Sequence, residues 1–240
     1  FNAEKYETIT DAAGLQTWID RIYARGYVAV DTETTGLNEM RAGLVGVSLC
    51  VQAGEAAYLP LTHRAGQSDD LFGTDALAEG QMDHDTALAM LKPMLEDSTI
   101  LKIGQNMKYD AKILARVGIQ VAPIDDTMLM SYAQNGGLHN HGMDLLSERY
   151  LDHAPISIKT LLGSGKSAIT FDRVPIDEAR RYAAEDADIT LRLWHYLKPR
   201  LHLNRVTAVY ESLERPLVPV LAEMEMQGIK VDRDVLSRMS

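Results

Sequence analysis

The chain has 240 residues, of which 46% are hydrophobic and 24% charged, and this composition excludes long-range disorder. Its formal net charge of −10 argues against a nonspecific binder of duplex DNA, because such proteins usually carry a basic surface. A single cysteine, Cys50, excludes an internal disulfide and a zinc site built from cysteines, and no apolar run approaches the roughly 18 residues of a membrane span. We therefore expect a cytoplasmic protein, and the polar start without methionine indicates a piece of a longer chain.

The first part of the chain predicts one helix and three strands. Asp11 is a good helix N-cap, and the apolar spacing after it predicts a helix that ends at Gly26. Three apolar runs, at 27–33, 44–51 and 56–61, predict strands, of which the second and third form a hairpin.

The next part alternates helices and strands. Asp83 is expected to cap a helix, residues 99–103 predict a short buried strand, and 106–116 predict another helix. Pro175 fits the first position of a long amphipathic helix that is expected to stop at Pro199. Strands that come first, followed by helix–strand–helix alternation, favour an α/β domain with a mixed sheet.

A further apolar-periodic helix is predicted over 206–227. Because it follows the end of the α/β pattern, we place a domain boundary near 205. Residues 1–205 then form one domain, and residues 206–240 begin the next.

Three pairs of polar residues have spacings that place each pair on one face of a strand or helix. The pairs are Asp31 with Glu33 on a strand, Asn106 with Asp110 on a helix, and Tyr182 with Asp186 on a later helix. Two carboxylates on one face repel each other unless a cation compensates their charge. A solvated strand end explains most isolated Asp-x-Glu sequences, but the three pairs together, in this order, form a specific signal.

The candidate metal ligands of these pairs are all carboxylates. Oxygen ligands of this kind select Mg²⁺ or Mn²⁺ over zinc or copper. Four carboxylates from three elements can hold two such ions about 4 Å apart, an arrangement that cleaves phosphodiesters by in-line attack of water. Tyr182 would orient the water through a hydrogen bond, since a phenol with a pKa near 10 is a poor base at neutral pH.

Three segments carry a family resemblance. VDTETTGL (30–37), IGQNMKYDAKIL (103–114) and YAAEDADIT (182–190) resemble the exonuclease motifs of the DEDD superfamily, in the variant with tyrosine in the third motif. The chain is similar to the 3′–5′ proofreading exonuclease domain of bacterial DNA polymerase I, a family A polymerase. The similarity continues through LERPLVPVLAEMEMQGIKVD (213–232), which looks like the opening of the polymerase domain. It implies a ribonuclease H-like fold, with a central mixed β-sheet flanked by helices and a C-terminal helical stub of the polymerase domain.

The resemblance also implies roles for individual residues. Asp31, Glu33 and Asp186 would hold the metal at the cleaved phosphate, Asp31 and Asp110 would bind a second ion, and Glu33 would receive the terminal 3′-hydroxyl. The residues expected to contact the nucleic acid are Leu37, Gln105, Asn106 and Phe171. Without the resemblance, the two apolar residues among these four fit a protein core equally well.

The expected function is removal of nucleotides from the single-stranded or frayed 3′ end of DNA, as the proofreading part of a longer polymerase chain. Two alternatives share the same residues: an RNA-trimming exonuclease of the ribonuclease D type, and a catalytically inactive domain that braces a polymerase. The intact carboxylates argue against the inactive domain, and the polymerase-like segment 213–232 argues against the RNA enzyme. The expected partners are the DNA end and the remainder of the polymerase chain in cis, with no membrane.

Two other motifs and two further acids have structural explanations. GSGKS (163–167) resembles a phosphate-binding loop, but Thr160 stands where that motif needs glycine. The His-Asn-His sequence at 139–141 lies in a glycine-flanked segment that predicts an exposed loop. Asp126 is a good N-cap, and Asp188 lies off the helix face of the third motif, so we expect both to be structural.

Overall fold

The computed structural model of the protein describes residues 1–65 and 76–239. Within these residues, six strands form one sheet with helices packed on it. The strands are β1 (Glu7–Thr8), β2 (Tyr27–Thr34), β3 (Leu44–Gln52), β4 (Glu55–Pro60), β5 (Leu101–Gly104) and β6 (Ile124–Asp126). The helices are α1 (Ala12–Arg25), α2 (His84–Glu96), α3 (Met107–Arg116), α4 (Thr127–Asn135), α5 (Met143–Leu151), α6 (Ile158–Leu162), α7 (Ile176–Leu203), α8 (Thr207–Val209), α9 (Arg215–Gln227) and α10 (Arg233–Met239).

The sheet is mixed, as the sequence predicts, and its strand order is β1-β4-β3-β2-β5-β6. Strands β2, β3 and β4 are antiparallel neighbours, whereas β5 is parallel to β2 and β6 is parallel to β5. The short β1 pairs with β4 in parallel at the other edge. Because β2 and β5 run in the same direction, their carboxyl ends meet at one edge of the sheet, where the first two motifs lie.

Local capping fixes the helix ends that the sequence predicts. The Asp11 side chain accepts a hydrogen bond of 2.7 Å from the Gly14 amide, and α1 ends at Gly26, whose φ of 78° suits a residue without a Cβ. Asp83 caps α2 in the same way, through a 2.9 Å hydrogen bond from the Thr86 amide. These predictions are confirmed.

The side chains of β2 alternate between two cores. Val28 and Val30 pack in the larger core with α1 and α2, whereas Ala29 packs in a smaller core with residues of α7. Because alternate residues of a strand share a face, Asp31 and Glu33 follow Ala29 to the α7 side. Helix α7 packs across β2, β3, β4 and β5, so it brings its own side chains to the end of β2.

The long helix α7 runs to Leu203, so the stop predicted at Pro199 is wrong. A proline inside a helix removes one backbone hydrogen bond. Leu197 and Leu201 flank it and are buried in one cluster with Tyr210. Burial of these apolar side chains offsets the lost hydrogen bond.

The helix predicted over 206–227 is interrupted by a π-helical turn at Tyr210–Glu214, between α8 and α9. The Arg215 amide bonds to the Tyr210 carbonyl, five residues back. Pro216 follows immediately and has no amide hydrogen, which favours an irregular turn at this point. None of the helices in the described ranges combines the length and apolar character needed to cross a membrane.

The segment after α7 is attached to the sheet through Asp125, a buried residue of β6. Its carboxylate accepts hydrogen bonds from Trp194 Nε1 at 2.7 Å and from the Tyr210 hydroxyl at 3.0 Å. Ion pairs to Lys198 at 3.0 Å and to Arg215 at 3.2 Å complete its surroundings. The domain boundary near 205 stays a prediction.

Candidate active site

A cleft of about 600 Å³ opens at the edge of the sheet where β2 and β5 end. Its lining comes from the end of β2 with the loop after it, the start of α3, the segment from α6 to Phe171, and α7. All five residues predicted to be catalytic line this cleft: Asp31, Glu33, Asp110, Tyr182 and Asp186. The structure therefore brings the three motifs together in one place.

Three carboxylates form the centre of the cleft. Asp31, Glu33 and Asp186 each place a carboxylate oxygen within 4.8 Å of the other two. The strand β2 supplies the first two from one face, and α7, which covers that face, supplies the third. Glu33 and Asp186 are buried, whereas Asp31 is partly exposed. Their role as metal ligands stays a prediction.

The pKa of each of these three carboxyl groups lies well above its ordinary value. Desolvation by burial is the largest cause for all three. The charge of Asp186 raises the pKa of Asp31 further, and the charges of both raise that of Glu33. A hydrogen bond from Tyr182 partly opposes the shift of Asp186. Like charges held together in this way are unfavourable unless a cation compensates them.

The cluster fits a divalent metal ion. Glu33 Oε1 is buried and has no hydrogen-bond partner among the residues that the structure describes. Leaving a buried carboxylate oxygen without a donor is costly, and a cation would satisfy it. The three available ligand groups offer only oxygen atoms, which is the donor set of hard divalent cations.

Asp110 lies next to the cluster but outside the group of three. Thr32 holds it, through a 3.0 Å hydrogen bond from the backbone amide and a 2.6 Å hydrogen bond from the hydroxyl. Burial and the charge of Asp31 raise the pKa of Asp110, and these hydrogen bonds lower it. Sequence reasoning missed Thr32, because a threonine in a strand is more simply explained by its β-propensity.

Tyr182 stands one helical turn before Asp186, at the wall of the cleft. Burial raises the pKa of its phenol, and the charges of Asp186 and Glu33 raise it further. The phenol therefore stays protonated at neutral pH and can donate a hydrogen bond. Its ring packs against Phe171, with ring centroids 5.9 Å apart.

The two apolar residues predicted to contact nucleic acid differ in exposure. Leu37 lies at the cleft rim and is 93% exposed, so its side chain is free to meet a substrate. Phe171 also lines the cleft but is only 3% exposed. The accessible apolar surface near it includes Ile158 and Leu162, both half-buried. Sequence reasoning passed over these two residues because they belong to no motif, and the contact roles of Leu37 and Phe171 stay predictions.

Gln105 and Asn106 connect the cleft to neighbouring segments. The Gln105 side chain donates one N–H to the His141 carbonyl at 2.8 Å and accepts from the Thr127 hydroxyl, so its side-chain amide is held in a defined orientation. Asn106 has a φ of 63°, in the left-handed region that is unusual for a non-glycine residue. The backbone amide of Asn106 donates to the Asp126 carboxylate at 3.1 Å, and this hydrogen bond holds the strained residue at the start of α3.

The two acids predicted to be structural bind protein atoms. Asp126 accepts hydrogen bonds from backbone amides at the starts of α3 and α4, namely those of Asn106, Met107, Met128 and Leu129. Asp188 accepts from the Tyr6 hydroxyl at 2.9 Å, the Gly54 amide at 2.9 Å and Arg192 Nε at 2.8 Å. Both predictions are confirmed.

Comparison with known proteins identifies the family of the chain. A family model described as 3′–5′ exonuclease matches residues 6–202. The chain belongs to this 3′–5′ exonuclease family. The DNA polymerase I of Rhizobium leguminosarum is 51% identical over 100% of this chain, and the chain spans 24% of the length of that relative. The resemblance to DNA polymerase I that the three motifs carry is thereby confirmed.

Solved structures show the same fold. Brucella melitensis NrnC with bound Mg²⁺ aligns with a TM-score of 0.64 and 24% identity, over 95% of each chain. Escherichia coli RNase D, described as an exoribonuclease involved in structured RNA processing, aligns with a TM-score of 0.64 and 18% identity, over 94% of this chain and 51% of that one. The predicted ribonuclease H-like α/β fold is confirmed.

Proposed function

We propose that this exonuclease domain removes nucleotides from the 3′ end of single-stranded or frayed DNA, as the proofreading part of a longer, cytoplasmic DNA polymerase I. The observation that carries the proposal is the convergence of Asp31, Glu33 and Asp186 within 4.8 Å at the floor of one cleft. The similarity to DNA polymerase I supports DNA as the substrate and the remainder of the polymerase chain as the partner in cis.

We infer that the cleft binds two Mg²⁺ or Mn²⁺ ions through Asp31, Glu33, Asp110 and Asp186. When bound, such ions compensate the charge of the phosphate and lower the pKa of the attacking water. Two observations support this inference: the repulsion among the clustered carboxylates, and the Glu33 Oε1 atom, which has no hydrogen-bond partner in the described part of the chain. Asp110 contributes in a fixed orientation, because two hydrogen bonds from Thr32 hold one of its oxygens.

The remaining residues of the cleft orient the reactants. The Tyr182 hydroxyl, which donates to Asp186 in this structure, orients the water through a hydrogen bond, and it removes no proton because its raised pKa keeps the phenol protonated. Glu33 also receives the terminal 3′-hydroxyl, while Gln105 and Asn106 contact the substrate beside the reacting phosphate.

The composition of the cleft favours unpaired ends. The lining residues that the structure describes include several apolar side chains but no lysine, arginine or histidine. Such a surface can bind unstacked bases, but it lacks the positively charged groups that would help to separate a paired duplex. Stacking against side chains accepts any base, so little sequence preference is expected.

The proposal is tested by initial rates on three DNA substrates of identical sequence, with a single-stranded, a frayed and a paired 3′ end, and on the matching RNA. We expect Mg²⁺-dependent hydrolysis that EDTA abolishes, faster on the frayed end than on the paired one. Asp31→Ala should lower the rate about 10²-fold or more, and Asp20→Ala, an exposed acid of α1, should leave it unchanged.

Each alternative predicts a different result. Equal rates on frayed and paired ends would contradict proofreading, and faster cleavage of RNA would favour the ribonuclease D type. No hydrolysis at all would identify an inactive domain. An Asp31→Ala variant that keeps more than about a tenth of the rate would show that the metal assignment is wrong.

A further inference from the structure

The loop that carries Leu37 decides where this exposed side chain stands at the rim of the cleft. We call residues 35–43, between β2 and β3, the Leu37 loop. Within it, the amides of Arg41 and Ala42 donate to the Asn38 carbonyl, at 2.9 and 2.7 Å. Leu37 itself is 93% exposed, so the loop, and not packing of the side chain, sets its position.

One face of α3 holds this loop. Tyr109, Lys112 and Arg116 are spaced by three and four residues, so they lie on the same side of the helix. The Tyr109 hydroxyl donates to the Gly36 carbonyl at 2.7 Å, and Arg116 donates to the Glu39 carbonyl at 2.9 Å. Between these two contacts, the Lys112 ammonium binds the Glu39 carboxylate.

Lys112 has a second acidic partner, Glu225 of α9. The lysine side chain is only 2% exposed, although both acids reach the solvent. Lys108 also binds Glu225, at 2.6 Å, and hydrogen bonds from the two lysines hold the pKa of this carboxyl below its ordinary value. Helix α9 packs against α3 and buries Val218 and Ala222.

We propose that Lys112 is a positioning residue for the substrate, because it joins the Leu37 loop to α9 and so makes the position of Leu37 depend on the segment after α7. This inference rests on the proposed function, since Leu37 is taken to contact the unpaired DNA end. It adds that the position of Leu37 at the cleft rim depends on Glu225, which lies outside the range 6–202 that the family model matches.

The burial of Lys112 gives the connection its strength. The ammonium of Lys112 lies where water is largely excluded, so loss of either carboxylate removes part of its charge compensation, although the other carboxylate remains. Neither Glu39 nor Glu225 can therefore move far from the ammonium without cost. A displacement of α9 along α3 is therefore transmitted to the Leu37 loop. In a fully exposed ion pair, by contrast, water would replace the lost partner at little cost.

The test compares two variants that keep an unbranched stem at position 112 and differ in charge. Lys112→Met keeps the buried stem and removes the charge, and Lys112→Arg keeps the charge. Lys198→Met is the matched control, because Lys198 binds Glu211 at 2.8 Å and Asp125 at 3.0 Å and so attaches the same segment without reaching the loop. Circular dichroism establishes that each variant is folded.

Two measurements are made on each variant. Hydrogen exchange of the hydrogen-bonded loop amides of Met40, Arg41 and Ala42 should become about tenfold faster or more in Lys112→Met, and stay unchanged in Lys198→Met. The KM for single-stranded DNA should rise about fivefold with kcat within about twofold, as for a lost binding contact. Lys112→Arg should restore both values, and in a Leu37→Ala background Lys112→Met should not raise the KM further.

Hydrogen exchange tests the positioning role of Lys112 without requiring nuclease activity, so it can fail independently of the proposed function. Unchanged exchange in Lys112→Met, or equal acceleration in Lys198→Met, would overturn the positioning role even if the chain is an active nuclease. Accelerated exchange with a raised KM that persists in the Leu37→Ala background would show that Lys112 does not act through Leu37. A wild-type chain without nuclease activity would contradict the proposed function, and the exchange data would still establish or refute the link between α9 and the loop.

Discussion

The acidic cluster should destabilise the metal-free chain at neutral pH, so removing one carboxylate is expected to stabilise the fold while abolishing activity. Asp186→Asn is the sharpest change, because it keeps the shape of the side chain and removes its charge. At a separation of 4.8 Å and an effective dielectric constant of about 20, two unit charges repel by about 3.5 kcal/mol. The folded chain relieves part of this repulsion by retaining protons, and we therefore expect a gain of about 1–3 kcal/mol in the free energy of unfolding at pH 8.

The pH dependence follows from the direction of the pKa shifts. The pKa values of Asp31, Glu33, Asp110 and Asp186 are raised in the folded state, so the folded chain holds protons that the unfolded chain has released. Stability from these groups is present below the unfolded pKa values, near pH 4, and is lost as the pH rises through the folded values. The advantage of Asp186→Asn should therefore be largest at pH 8 and shrink towards pH 5.

Urea unfolding with EDTA at pH 5 and pH 8 measures this difference, with Asp20→Asn as the control for loss of an exposed charge. In saturating Mg²⁺ the wild type should become more stable than Asp186→Asn, since a ligand at about 100 times its Kd stabilises a protein by about 2.7 kcal/mol. The variant should gain less, because it lacks one ligand. A variant less stable than the wild type at pH 8 in EDTA would refute the reasoning about charge repulsion.

Three further predictions use the same assays. Tyr182→Phe should slow hydrolysis less than Asp186→Ala does, because the phenol orients water but does not activate it; a loss as large as that of Asp186→Ala would contradict this role. Gly46→Ala should destabilise the fold by about 1–3 kcal/mol, because the added Cβ would overlap the Tyr58 hydroxyl, and equal stability in urea unfolding would argue against that packing. Asp126→Ala should lower the free energy of unfolding by about 2–4 kcal/mol, since the carboxylate caps two helices, and a loss below about 1 kcal/mol would be too small for two caps.

The parts of the site that follow from chain periodicity could be predicted from the sequence. The alternation of β2 places Asp31 and Glu33 on one face, and the helical repeat places Tyr182 beside Asp186, whatever surrounds them. Caps are also local, which is why Asp11 and the other N-caps were predictable. The strands could be predicted from their apolar runs, which are also local.

The contacts that depend on packing could not be predicted in this way. The hydrogen bonds from Thr32 to Asp110 join residues 78 positions apart, and no local rule contains them. The burial of Phe171 depends on which elements cover it, so its small exposure could not be read from the motif. The continuation of α7 past Pro199 likewise depends on a buried tyrosine, Tyr210, from the next segment.

Asp125 and Asp126 are neighbours at the end of β6, but they bind different parts of the chain. Asp126 fixes the starts of α3 and α4, whereas Asp125 binds Tyr210 and Arg215, which follow the boundary expected from the sequence pattern. A chain that ended at 205 would leave a buried carboxylate without two of its partners, so we expect the cooperatively unfolding unit to reach at least to Arg215. A fragment designed to keep the nuclease folded should therefore include the partners of Asp125 up to Arg215. The end of the α/β pattern, near residue 205, is a poor guide to where the chain can be truncated.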